Sequence, residues 1–166
     1  LNEQGLIEDV QILSGELVTN GDFATDSDWT KGTGWTISGG AANADGTFNN
    51  LTQTGFNFIS GKQYKVTYEV ENYVNGNIIF QFTGGATLNG TTRNSNGIYT
   101  QYVNATANHT NFRFRGTNFT GSIDNVSVKE LTEADFDFSR GTIATRTAEN
   151  GLIEDVTDTN LPRIDY

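Results

Sequence analysis

A chain of 166 residues with 20 Asp and Glu against 10 Lys and Arg carries a formal charge of −10, which argues against nucleic-acid binding as its main task, because phosphate backbones are held by clustered cations. It has no Cys, so disulfides and thiolate metal sites are excluded. No apolar run is long enough to span a membrane, and one Pro, 19 Gly and few helix-favouring runs point to all-β structure.

Residues 1–15 read as a connector. They contain GLIEDV at positions 5–10, and the same six residues return at 151–156. Self-similarity at a fixed spacing marks modular arrays, so the chain reads as one module with a connector on each side. Its opening LNEQ, without Met, suggests a piece or a processed product of something longer.

The module is expected to span residues 16–131. Trp29 sits in a polar loop, DSDWTK, and is the candidate for an exposed ring that stacks on the apolar face of a pyranose. Trp35 opens an alternating strand and reads as core. Phe48, Phe56 and Phe58 follow in TFNNLTQTGFNFISG, too close together for all three to be buried in one strand. Glycan stacking, a subunit contact and edge packing are all compatible with such a cluster. Next, YKVTYEV alternates Tyr64, Val66, Tyr68 and Val70 against Lys65, Thr67 and Glu69, the period of a half-buried strand. NIIFQFT sets Ile78, Phe80 and Phe82 on one face, and NFRFRG alternates Phe112 and Phe114 with Arg113 and Arg115. The last strand, GSIDNVSVKEL, places Asp124 in register with Val126 and Val128.

Turn signals such as ISGG, ISGK, VNGN and LNGTTRNSNG separate these segments. Many short strands with frequent turns imply a β-sandwich or jelly roll. The polar strand faces offer Glu69, Gln81, Arg113 and Arg115, planar groups of the kind that read sugars; a solvated sheet surface has the same pattern. Residues 132–166 are polar, with no sustained alternation. Within them DFDFSRGTIATRT is strand-like but too short to stand alone, and is expected to pair with a neighbouring module or subunit.

Catalysis finds little support in this pattern. His109 has no Cys partner and no Ser elbow, and reads as a loop residue. The paired acids lie in loops rather than across a cleft, as glycoside hydrolysis requires. The chain is therefore not expected to be an enzyme.

The opening Asn-Gly-Asp-Phe at 20–23, the Gly-Trp-Thr-Ile at 34–37 and the closing Ile-Asp-Asn-Val-Ser-Val at 123–128 resemble carbohydrate-binding modules of the family 4 and 9 type. The resemblance implies a jelly-roll β-sandwich that binds glycans without cleaving them, often with a structural calcium joining first and last strands. The connector, FSRGTIATRTAENGLIEDV with LPRIDY, is similar to a segment recurrent in bacteriophage virion proteins of the tail, fibre and capsid surface. Together these imply an adhesion module on the virion surface, outside the host cell. Host-surface glycans and other virion subunits would be its partners, a homo-oligomer its assembly, and neither nucleic acid nor membrane insertion its task. The alternative is a purely structural or decoration module that binds neighbouring subunits.

Asp124 is singled out on physical grounds. Strand parity puts its carboxylate on the core face, where an unpaired charge costs several kcal/mol. Either backbone N–H groups of the turn at 20–23 satisfy it, or a calcium ion does, with Asp22 as a second ligand.

Overall fold

The structure, a computed structural model, describes residues 11–133, 144–147 and 153–156. The chain divides into two compact units, Leu1–Thr132 and Glu133–Tyr166. The first unit is an all-β jelly-roll sandwich. Its strands in chain order are β1 (Gln11–Leu13), β2 (Thr30–Lys31), β3 (Trp35–Ser38), β4 (Ala41–Asp45), β5 (Asn49–Phe58), β6 (Gln63–Thr83), β7 (Leu88–Asn89), β8 (Gly97–Asn104) and β9 (His109–Glu133).

Two of these strands organise the rest. β6 and β9 run antiparallel from the Gln63↔Leu131 pair to the Thr83↔Asn111 pair, and both bend midway, so each serves both layers. YKVTYEV and NIIFQFT, which read as two strands joined by a VNGN turn, are thus one strand; NFRFRG and GSIDNVSVKEL are likewise one. Asn-Gly supplies a positive φ, and a strand corner needs that as much as a hairpin does. At the corner Asn72, Gly76 and Asn118 all have positive φ (50°, 81° and 52°). A Cβ on Gly76 would stand 2.1 Å from the Asn118 carbonyl oxygen, so only glycine lets the strands cross this closely.

In one layer β8 pairs with residues 63–70 of β6, which pair in turn with residues 123–131 of β9. β4 and β3 extend this layer from residues 120–123 of β9, and β1 also pairs with β9. In the other layer the order is β7, residues 77–83 of β6, residues 111–116 of β9, β5 and β2.

The expected alternation fills the interior. Tyr64, Val66, Tyr68, Val70, Ile78, Phe80, Phe82, Phe112, Phe114, Val126 and Val128 are all buried, as is Trp35. Each fully buried large side chain contributes about 1.5–3 kcal/mol relative to exposure. The rings interlock: Phe58 stacks on Phe82 at 4.1 Å, and Tyr68 meets Phe114 edge-on at 5.0 Å. Burial pushes the Tyr68 hydroxyl pKa up to about 12. Phe56 is half-buried beside fully buried Phe58, at 4.8 Å. The register of β5 shifts between Thr54 and Phe58, with Gly55 at φ 91°, which sets the spacing of these rings to the core.

Two sequence expectations give way here. His109 is not a loop residue: it opens β9 and is buried, 6.0 Å from the Phe82 ring. Asp124 does not face the core. Between Thr67 and Glu69 of β6 the register of β9 slips by a residue, so Ser127 faces Thr67 while Asp124 faces Glu69. Asn125, with φ 51°, is the bulge that turns Val126 inward and leaves Asp124 half-buried on the outer face.

The second unit contains β10 (Ala144–Thr147) and β11 (Ile153–Val156), antiparallel with Ala144 opposite Val156 and Thr147 opposite Ile153. Part of the segment expected to pair with a neighbour therefore pairs within its own chain. The first GLIEDV copy, residues 134–143 and LPRIDY lie outside the described residues.

Candidate functional site

Because Phe80, Phe82, Phe112 and Phe114 point inward, alternate residues on the same stretches point out. They form rows across the layer. Gln81 faces Arg113, Ile79 faces Arg115, and Asn77 faces Thr117. Beyond β6, Asn89 of β7 extends the first row; beyond β9, Thr52 and Asn50 of β5 face Arg113 and Arg115. The β6 members of these rows, with Asn89, Arg115 and Thr117, floor an open groove of about 340 Å³ that Thr92 also lines. The wall bearing Thr92 is held down by paired backbone bonds between Ile78 and Arg93, at 2.9 and 2.8 Å. Gly90 lets that wall approach, since a Cβ there would lie 2.2 Å from the Phe80 ring.

In and beside the groove the polar groups are oriented by one another. Arg113 Nε donates to Gln81 Oε1 at 2.8 Å, and Gln81 Nε2 donates to Asn89 Oδ1 at 2.6 Å. Gln81 is only 2% exposed, so it fixes its two neighbours from below. Burial, and then the charge of Arg115, pull the Arg113 guanidinium below its ordinary pKa. The Arg115 guanidinium lies 5.3 Å from the centre of the Phe48 ring, and Phe48 is 59% exposed. Arg115 Nε is buried with no acceptor, and Asn50 Oδ1, on its register partner, is buried with no donor. The lining residues are amides, hydroxyls, a guanidinium and one aliphatic side chain. Such a surface can orient a polyhydroxylated ligand through hydrogen bonds while Phe48 and Ile79 meet its apolar parts.

Of the residues singled out in the sequence, Gln81, Arg113 and Arg115 come together here. Glu69 does not; it lies on the other half of β6, opposite Asp124 and Ile98, and its Oε2 accepts from Asn125 Nδ2 at 3.0 Å. Trp29 is buried, 6% exposed, among Phe23, Phe112 and Phe114. The polar loop hides it because Asn20 ties that loop together. Asn20 Nδ2 donates to the carbonyls of Thr25 and Ser27, its Oδ1 accepts from Thr25 N, and its carbonyl accepts from Trp29 Nε1 at 3.1 Å. The exposed ring beside the groove is Phe48 instead. Its signal in the sequence was position: it immediately precedes the strand that registers Asn50 against Arg115.

Asp22 and Asp124 each take a local backbone partner, from Ala24 N and Asn125 N respectively. Among the described residues no group of three His, Cys, Asp or Glu side chains converges to hold a metal. A calcium ion takes six to eight oxygens, backbone carbonyls and waters among them, so Asp22 and Asp124 alone would supply only part of such a set. The opening turn is joined to the last strand by a backbone bond, with Val126 N donating to the Gly21 carbonyl at 2.8 Å.

Neither a protein-family model nor a curated protein sequence matches this chain. Among solved structures it is similar to the unliganded CBM1 of BiXyn10A, with a TM-score of 0.45 and 14% identity over 76% of this chain and 98% of that one. It is also similar to two substituted variants of CBM29-2, a family 29 carbohydrate-binding module. One has a TM-score of 0.40 and 15% identity over 61% of this chain and 76% of that one; the other has 0.42 and 12% over 74% and 92%. At such identities and scores these likenesses transfer neither a residue nor a ligand to this chain.

Proposed function

We propose that this chain is a non-catalytic glycan-binding module, displayed on the surface of a bacteriophage virion and used for adhesion to host-surface glycans. The observation that carries the glycan reading is the exposed ring of Phe48 beside Arg115, at the rim of a groove floored by Ile79 and ordered amides. Sugars present an apolar ring face edged with hydroxyls, and this surface offers a partner for each. The virion setting is supported by the resemblance of the GLIEDV-bearing connector to phage segments. A shallow site suffices in that setting, because copies on one particle raise avidity without new contacts.

The test is a glycan array probed with the full chain presented multivalently on beads. Binding to a defined glycan class that is lost in Phe48→Ala supports the reading. Silence across the array, or binding indifferent to Phe48→Ala and Arg115→Ala alike, overturns it.

A second reading, assembly with other virion subunits or with further copies of this chain, is favoured by β8. Its one strand partner among the described residues is β6, and it exposes Ile98 (71%) and Tyr102 (53%). An edge strand with exposed apolar side chains is a template for pairing. Light scattering of the wild type and Ile98→Asp decides: a multimer that becomes monomeric supports the reading, and a wild-type monomer at all concentrations removes self-assembly.

A further inference from the structure

We infer that the ligand of this groove is an anionic saccharide, one bearing a carboxylate or sulfate that docks on Arg115. The inference rests on the glycan-binding reading above and narrows its substrate class.

The first ground is charge placement. The chain has twice as many acidic as basic residues, yet the face around the groove gathers two guanidinium groups and no acid. Outward positions on its strands carry Asn77, Ile79 and Gln81, then Arg113, Arg115 and Thr117, then Asn50 and Thr52. The ion pairs among the described residues are Lys31–Asp26 and Lys62–Glu130, both elsewhere. Two like charges two residues apart on one strand repel, and a bound anion relieves that repulsion.

The second ground is the division of labour between the two arginines. Arg113 spends its Nε on Gln81. Arg115 makes no ion pair among the described residues, its guanidinium lies against an exposed ring, and it lines the groove. A guanidinium presents donors in a planar fork that matches two oxygens of a carboxylate or sulfate. Neutral hydroxyls could be met by the amides and threonines alone and would leave this charge uncompensated. An acidic sugar uses both features, its oxyanion on Arg115 and its ring against Phe48.

The experiment probes the full chain on an array of matched neutral, carboxylated and sulfated saccharides, including carboxylated glycans before and after chemical reduction of their carboxyls. Affinities for hits are then measured by calorimetry for wild type, Arg115→Gln and Arg115→Lys. The expected result is binding confined to anionic glycans, lost on carboxyl reduction where the anion is a carboxylate. Arg115→Gln should weaken it at least about tenfold, the worth of one charge-assisted contact, and Arg115→Lys should restore part of the loss. The carboxylated and sulfated arms tell the two sources of the anion apart. Binding to neutral glycans that Arg115→Gln leaves unchanged overturns this inference and spares the glycan-binding reading. Silence in all three arms overturns both. Circular dichroism melts of each variant separate a lost contact from a lost fold.

Discussion

The ring of Phe48 and the guanidinium of Arg115 meet face to charge, 5.3 Å from centroid to Cζ, where the register of β5 against β9 sets Asn50 opposite Arg115. Phe48 stands outside the core, more than half exposed. Arg115 spans the same rim from the neighbouring strand. An exposed aromatic normally burdens solubility; here it is held beside a cation and a groove, where a ligand can cover it.

Phe48→Ala should therefore separate binding from stability. Exposed substitutions away from packing features stay within roughly 0.5 kcal/mol, so the melting temperature should be almost unchanged. Affinity for a glycan hit should fall about tenfold, on the order of the worth of one ring contact. Calorimetry and thermal melts on the same preparation check both halves. A large drop in melting temperature would mean that Phe48 is structural.

Gln81 should behave in the opposite way. It is buried and bonded at both ends, to Arg113 and Asn89. Gln81→Leu strands the Arg113 Nε at a part-buried site, a loss of roughly 1–3 kcal/mol. Gln81→Glu keeps an acceptor for Arg113, and the Asn89 amide can turn to donate to it. Urea denaturation should rank the variants wild type, then Glu, then Leu. Equal stability of Glu and Leu would show that the bond to Arg113 contributes nothing.

Much of this was legible in the chain. Period-two alternation found every core face of β6 and the first half of β9, because burial on one side of a strand leaves a binary trace. It also found Gln81, Arg113 and Arg115 on the opposite face. It failed where the backbone departs from regular pairing. Asn125 inserts a bulge that reverses the parity of Asp124, and asparagines at left-handed φ announce bulges and turns alike. Glu69 shares a strand with Gln81, yet the corner at Asn72 and Gly76 carries it to the other layer. Local sequence marks that corner, as VNGN, but not that it carries the strand into another layer. Trp29 was misread because the hydrogen bonds that bury it come from Asn20, nine residues away, in a loop whose composition is polar throughout.

Trp29→Ala consequently tests packing and not sugar stacking. Removing a ring this deeply buried costs about 3–5 kcal/mol, so the melting temperature should drop sharply, while Trp29→Phe should recover much of the loss. Under conditions where the Ala variant remains folded, its glycan affinity should equal that of the wild type. A selective loss of affinity with an unchanged melting temperature would reinstate Trp29 as a binding residue.

Chelation gives a simple outcome for the joint between the opening turn and the last strand. That joint is a backbone bond from Val126 to Gly21, and a Cβ at Gly21 would lie 2.0 Å from the Val126 carbonyl oxygen. Melting in EDTA and in millimolar calcium should give the same midpoint, and Asp124→Asn should not alter that equality. Gly21→Ala should lower the midpoint in both. A rise with calcium that Asp124→Asn abolishes would instead establish a metal between Asp22 and Asp124.

His109 makes stability depend on pH in a defined direction. Its ring is 1% exposed, and burial lowers its pKa below the ordinary 6.5, only partly offset by the Ala86 backbone. Well above pH 6.5 the imidazole is neutral in both folded and unfolded chains, and contributes no pH dependence. As pH falls through that value the unfolded chain takes up a proton that the folded chain refuses, so stability declines until the folded-state pKa is passed. His109→Phe, placed against Phe82 in the same apolar surroundings, removes this titration. Melting temperatures from pH 8 down to 5 should therefore fall more steeply for wild type than for His109→Phe, with the carboxylate contributions common to both. Parallel curves across that range would mean that His109 charges as readily in the fold as out of it.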